Sequence, residues 1–112
     1  MPEGDSPSSS VKLLFKRPES VLVVIYTMEL DVLLICRQSP AGFWQSVTGS
    51  LEHKENPREA AQRELFEETG ISQEVVDHRV QRVFPIRPDW QKRYAPGVSE
   101  NLEHEFSVQL AE

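Results

Sequence analysis

The 112-residue sequence contains a single cysteine, Cys36, so it can form no internal disulfide and fits a reducing compartment. With Leu33, Leu34 and Ile35 beside it, that thiol reads as a core group rather than a nucleophile, because no base is suggested nearby. Long apolar runs are also missing. The longest, residues 21–27, is far short of the roughly 20 residues that cross a bilayer. Residues 1–10 are rich in Pro, Ser, Glu and Asp and hold no apolar stretch that could direct secretion, which leaves the cytoplasm as the default location. Positive charge is scarce. With 12 Lys and Arg against 18 Asp and Glu, a net charge of −6 and a pI near 5.1, the chain has no general attraction for nucleic acid or an anionic membrane. A polyanionic ligand must therefore be held by cations placed locally. His53, His78 and His104 are scattered without ligand spacing, so they read as surface residues and exclude a zinc site. There is no internal repeat.

What remains is a chain with 38% apolar residues, enough for one modest core and one domain over residues 15–112, preceded by a disordered tail over residues 1–14. Residues 21–27 (VLVVIYT) form a continuous β-branched run, as expected of a strand covered on both faces, and residues 31–37 repeat the pattern as the second arm of a hairpin. Residues 43–47 read as a third strand, entered through Ser39-Pro40-Ala41-Gly42 and left at Thr48-Gly49-Ser50. A helix follows. Asn56 is its N-cap, Pro57 suits the first helical position, Glu59 completes a capping box and Gly70 suits a left-handed stop. Residues 79–84 and 104–110 are further strands. The loop between them, residues 85–97, carries Trp90 and Tyr94 and reads as a rim or lid over a substrate, or else as a disordered excursion.

On the helix, Glu64, Glu67 and Glu68 stand at i, i+3 and i+4, which brings three carboxylates to one face. Such like-charged pairs cost about 0.2–0.5 kcal/mol each, and no Lys or Arg follows within a turn to neutralise them. A divalent cation would. Oxygen-only donors open to solvent on one side favour Mg²⁺, with Mn²⁺ as a substitute, over a closed Ca²⁺ cage. Leu65 and Ala61 mark the opposite stripe, which packs on the sheet. Arg63 can pair with Glu64 or with Glu59 one turn earlier; it either orients a carboxylate or serves only as a surface ion pair. Glu55 has the same two readings, as a supporting ligand or as an ordinary acid before the helix. A cation bound by these carboxylates would neutralise bridging phosphate oxygens, and a glutamate beside it could take a proton from water.

Gly49, Glu55, Arg63, Glu64, Leu65, Glu67, Glu68, Gly70 and Ile71 fall in one fixed frame, which a random chain of this length would match with a probability on the order of one in ten million. In that frame residues 49–71 resemble the Nudix hydrolases, which cleave nucleoside diphosphates linked to another moiety. The similarity extends to Phe15-Lys16-Arg17-Pro18, to residues 43–50 (FWQSVTGS) and to residues 93–98 (RYAPGV), which resemble the subfamily of bacterial dihydroneopterin triphosphate pyrophosphatases. The resemblance implies an α/β fold, an α/β/α sandwich around a mixed β-sheet. It also implies release of pyrophosphate from dihydroneopterin triphosphate, a step of folate biosynthesis. Glu64 and Glu68 occupy metal positions, with Glu67 in the same acidic cluster, and Glu64, Glu67, Arg63 and Glu55 carry the catalytic assignment. Lys16 and Arg37 are candidate cations for the phosphates, either of which could instead be structural. Thr48 is a candidate hydrogen-bond donor to substrate.

Val47-Thr48-Gly49-Ser50 stands where many relatives have Pro-Gly-Gly before the box, which agrees with the subfamily. Relatives continue through another strand and a C-terminal helix with a further metal-binding glutamate. Their absence here implies an uncovered sheet face and a metal site one ligand short. The partner expected is a small-molecule triphosphate, with neither nucleic acid nor membrane; the oligomeric state is left open. The alternatives are a hydrolase of dATP or an oxidised purine nucleotide, and a non-catalytic Nudix module that only binds its ligand. Trp44 fits the core or the ligand, and Trp90 and Tyr94 could stack on a flat ring.

Overall fold

Strand β1, Glu19–Tyr26, is the central element. The computed structural model describes residues 15–38 and 41–110, without the side chains of residues 36–38 and 41–44. The expected tail, residues 39 and 40 of the expected turn and the side chains of Cys36, Arg37 and Trp44 lie outside that description, while Ala41 and Gly42 of that turn belong to a strand.

On one side β1 runs parallel to β7, Glu100–Gln109, with Val21, Val23 and Ile25 opposite His104, Phe106 and Val108. On its other side it pairs antiparallel with β5, Val47–Ser50, along its first half and with β2, Val32–Leu33, at its end. Strand β6, Val76–Pro85, lies antiparallel to β7 and completes a mixed five-stranded sheet. Strands β3, Ile35–Gln38, and β4, Ala41–Gln45, form a separate antiparallel pair. The fold is therefore α/β with a mixed sheet, as expected. Among the described residues helix α1, Pro57–Thr69, covers one face, and the second helical layer of the expected sandwich is not among them.

The caps of α1 are as the sequence implies. Asn56 Oδ1 accepts from the Glu59 backbone N–H at 2.8 Å, Glu59 Oε1 accepts from the Asn56 N–H at 3.0 Å, and Gly70 closes the helix at φ 78°. Asn56→Ala should destabilise the protein by about 1 kcal/mol, measurable as a lower urea midpoint with an unchanged slope. The helix buries Ala60, Ala61 and Leu65 against Val21, Val23, Ile25, Val47, Phe106 and Val108.

Three sequence expectations need correction. Strand β1 is covered on one face only: Val21, Val23 and Ile25 are buried, whereas Leu22 and Val24 are half-buried and Val80 and Phe84 on that side of the sheet are exposed. Residues 31–37 are not one hairpin arm, because β2 stays with β1 while β3 leaves to pair with β4. Thr48, Gly49 and Ser50 are strand rather than exit turn, since they pair with Leu22, Val21 and Ser20.

Candidate active site

Glu64 lies where α1 crosses β5. A Cβ placed on Gly49 would overlap its carboxyl and stand 2.6 Å from its Cγ, so the bare glycine backbone is what admits this side chain. Arg63 gathers the acids around it. Its Nε donates to Glu55 Oε2 at 2.8 Å and its Nη2 to Glu55 Oε1 at 2.9 Å, a bidentate pair. Its Nη1 donates to Glu64 Oε2 at 2.9 Å and to Glu67 Oε1 at 3.2 Å, and Nη2 also reaches the Ser50 carbonyl at 3.1 Å. Glu55 in turn accepts from the Glu52 N–H at 2.8 Å, which folds the loop before the helix back on itself. Of the two partners open to Arg63 from the sequence, Glu64 is engaged and Glu59 is not, because the Glu59 carboxyl is held in the cap.

These contacts set the ionisation of the acids in opposite directions. The Arg63 hydrogen bonds hold Glu55 below the usual carboxylate range against the effect of burial. Burial pushes Glu64 up, with Glu67 and Glu68 adding repulsion, and this outweighs the bond from Arg63.

A cleft of about 490 Å³ opens beside Glu64 at the end of the sheet where β1 and β7 begin. Glu64, Arg63, Thr48 and Lys16 all line it, so four of the sequence-derived site residues meet there. Thr48 Oγ1 accepts from Gln45 Nε2 at 2.9 Å, and Lys16 Nζ stands 5.8 Å from the Tyr94 ring centre. Glu55 sits behind Arg63, while Glu67 and Glu68 are exposed and do not line the cleft. The residues of the 85–97 loop form its rim: Pro88–Arg93 make a 3-10 segment, and Ile86, Arg87, Trp90, Arg93 and Tyr94 line the cavity. The Trp90 ring is engaged by two guanidinium groups, Arg87 at 5.0 Å and Arg93 at 5.3 Å, rather than left free for stacking.

The donor set suits a hard divalent ion in its chemistry, being three carboxylates one of which is disfavoured in its charged form by its surroundings. The side chains as placed do not form a finished cage. Among the described residues no three His, Cys, Asp or Glu side chains converge as ligands, and Arg63 holds two of the three acids. For these three carboxylates to share one cation, Glu67 and Glu68 would have to turn toward Glu64.

Sequence reasoning missed Arg87, Phe84, Ser20, Asn101 and Glu103, all of which line the cleft. Arg87 could have been found as a cation in the aromatic loop of an acidic chain; the strand residues carried no local signal. His104 is also not the surface residue expected. Its side chain is 12% exposed and its Nε2 lies 2.7 Å from Glu19 Oε2.

Arg63→Gln tests the cluster. Loss of the bidentate pair should cost about 2 kcal/mol at neutral pH. Because the folded pKa of Glu55 lies below the unfolded value, its pairing contributes stability above roughly pH 4.5, and this is lost as pH falls through the folded value. In the variant the acid side of the stability profile should be flatter, as read by urea titrations between pH 3 and 7.

Comparison with known proteins places these residues in context. Residues 16–111 match the family described as the NUDIX domain. The dihydroneopterin triphosphate diphosphatase of Haemophilus influenzae is 41% identical over 102 residues, covering 86% of this chain and 65% of that protein. The enzyme of the same name from Escherichia coli is 41% identical over 105 residues, covering 87% and 69%. A solved structure of the E. coli dihydroneopterin triphosphate pyrophosphohydrolase superposes with a TM-score of 0.79, covering 87% of this chain and 70% of that one. The chain spans about two thirds of the length of the curated relatives it matches. No helix among the described residues is long and apolar enough to cross a membrane.

Proposed function

The chain belongs to the NUDIX family, and from that premise we propose that it hydrolyses dihydroneopterin triphosphate to the monophosphate and pyrophosphate, with Mg²⁺ as cofactor and in the cytoplasm. The observation that carries this reading is a single cleft shared by the half-buried Glu64 with Arg63 and by the cations Lys16, Arg87 and Arg93. An anionic protein thereby offers a triphosphate positive charge on one side and carboxylates for a cation on the other.

Glu64, with Glu67 and Glu68, would hold the Mg²⁺, which when bound supplies charge neutralisation on the phosphate oxygens. The protein's own part is to bind, orient and move a proton. Lys16, Arg87 and Arg93 draw the phosphates into the cleft, and Thr48 donates a hydrogen bond to them. Arg63 fixes Glu64 through Oε2, leaving Oε1 as its donor to the cation, and a glutamate of the same cluster takes the proton of the attacking water. Water oxygen bonds to the α-phosphorus, the bond from that phosphorus to the bridging oxygen breaks, and pyrophosphate leaves.

The box residues bear on the phosphates and not on the ring, so dATP or an oxidised purine nucleotide is the second reading. Pyrophosphate release from dihydroneopterin triphosphate and from dATP, with and without Mg²⁺, decides among these. Faster turnover of the pterin supports the proposal. A wide preference for dATP transfers it to the second reading, and no release from any triphosphate leaves a binding module.

A further inference from the structure

Of the segment Phe15-Lys16-Arg17-Pro18, only Lys16 lines the cleft. Arg17 spends its guanidinium on the loop that precedes α1. Its Nη1 donates to the Glu52 carbonyl at 2.7 Å and to the Glu55 carbonyl at 3.0 Å, and its Nη2 donates to Glu19 Oε1 at 2.9 Å. The other oxygen of Glu19 lies 2.7 Å from His104 Nε2, so Arg17 is itself braced from β7. The loop needs such a tie. Lys54 takes left-handed backbone at φ 68°, a conformation that an L side chain adopts at a cost and keeps only where its surroundings fix it. Inside the loop the Glu55 N–H donates to the Glu52 carbonyl at 3.0 Å and the Glu52 N–H donates to Glu55 Oε1 at 2.8 Å, which couples the Glu55 carboxylate to the turn. One guanidinium thus grips both ends of the turn that aims this carboxylate. The same carboxylate holds Nε and Nη2 of Arg63, whose Nη1 holds Glu64.

We propose that Arg17, braced by Glu19 and His104, is a positioning residue for hydrolysis: by fixing the turn at residues 52–55 it aims the Glu55 carboxylate, which orients Arg63 and through it Glu64. The inference rests on the reading of this cleft as a hydrolase site, and it adds what keeps the acids of that site in place. A lysine would keep the charge, but it lacks the planar fork that spans two carbonyls and a carboxylate.

Arg17→Met and Arg17→Lys in the full chain test it. In hydrogen-exchange NMR without metal, the Arg63 Nε–H should exchange at least about tenfold faster in Arg17→Met, while the Leu65 and Phe106 amides stay within about twofold of the wild type. Equal acceleration of all three would make Arg17 a residue of stability alone, and an unchanged Arg63 signal would break the link; either overturns the proposal. In Mg²⁺, kcat for pyrophosphate release from dihydroneopterin triphosphate should fall about 10- to 100-fold with KM within about threefold, since Lys16, Arg87 and Arg93 still meet the phosphates. On a Glu55→Ala background, Arg17→Met should lower kcat by less than about twofold more, because both act through one carboxylate. Arg17→Lys should stay within about threefold of Arg17→Met in both readouts, and it carries them alone if Arg17→Met does not fold. Wild-type kcat in Arg17→Lys, or additive losses from Arg17 and Glu55, would overturn the proposal. A wild type that releases no pyrophosphate from any triphosphate would end the hydrolase reading and this role with it. Release by the wild type together with an Arg63 signal indifferent to Arg17 would spare that reading and end only the role given to Arg17.

Discussion

Glu64→Gln should lower pyrophosphate release by about 10²- to 10⁴-fold while leaving a folded protein that is, without metal at neutral pH, no less stable than the parent. The two halves of that result come from one environment. The Glu64 side chain is 13% exposed, and burial, then the repulsion of Glu67 and Glu68, disfavour its charged form despite the bond from Arg63. Its folded pKa therefore lies above its unfolded one. A group of that kind contributes stability below the unfolded value and loses it as pH rises through the folded value, so at pH 7 the ionised carboxylate is a net cost. The amide removes the cost and keeps an oxygen for Arg63. It also removes a charged donor to the metal and with it the positioning of the attacking water. Mg²⁺ should raise the melting temperature of the parent, because a ligand that binds the folded state stabilises it, and should do so much less in the variant. A variant that keeps its turnover, or one that melts well below the parent without Mg²⁺, would remove Glu64 from the centre of the mechanism.

The parts of this site that could be read in advance are those whose interactions are local. The helix start is fixed by Asn56, Pro57 and Glu59 within three residues of one another, and its end by Gly70, so caps and length were legible. The strands were less so. Residues 31–37 look like one continuous arm, yet their partners are β1 for Val32 and Leu33 and β4 from Ile35 onward, which no pattern within the run encodes. Thr48-Gly49-Ser50 carries the composition of a turn and becomes strand because β1 supplies its partners. Arg63 turned to Glu55, eight positions away, since Glu59 was already committed to the cap and the loop from Glu52 had brought Glu55 within reach. Asn101 and Glu103 were invisible for the same reason on a larger scale. They reach Ser20 and the cleft only through the parallel pairing of β1 with β7, across 81 residues of chain.

Gly49→Ala should reduce turnover by about a hundredfold through Glu64 alone. Gly49 sits in regular β5 opposite Val21, in backbone that alanine can adopt, so the added methyl brings no conformational penalty of its own. Its effect is steric: the methyl overlaps the Glu64 carboxyl and Cγ, and the atoms that must yield belong to the side chain whose position matters most. The displaced carboxyl also breaks the 2.9 Å bond to Arg63 Nη1, and overpacking of this sort costs about 1–3 kcal/mol. Both losses run through one group, so they should not add to those of Glu64→Gln. Activity of Gly49→Ala/Glu64→Gln should fall within about twofold of Glu64→Gln. Truncation at the other partner should relieve the clash, making Gly49→Ala/Glu64→Ala more stable than Gly49→Ala in urea. Independent, additive losses in the double variant would mean that the glycine serves the approach of substrate rather than the seating of the acid.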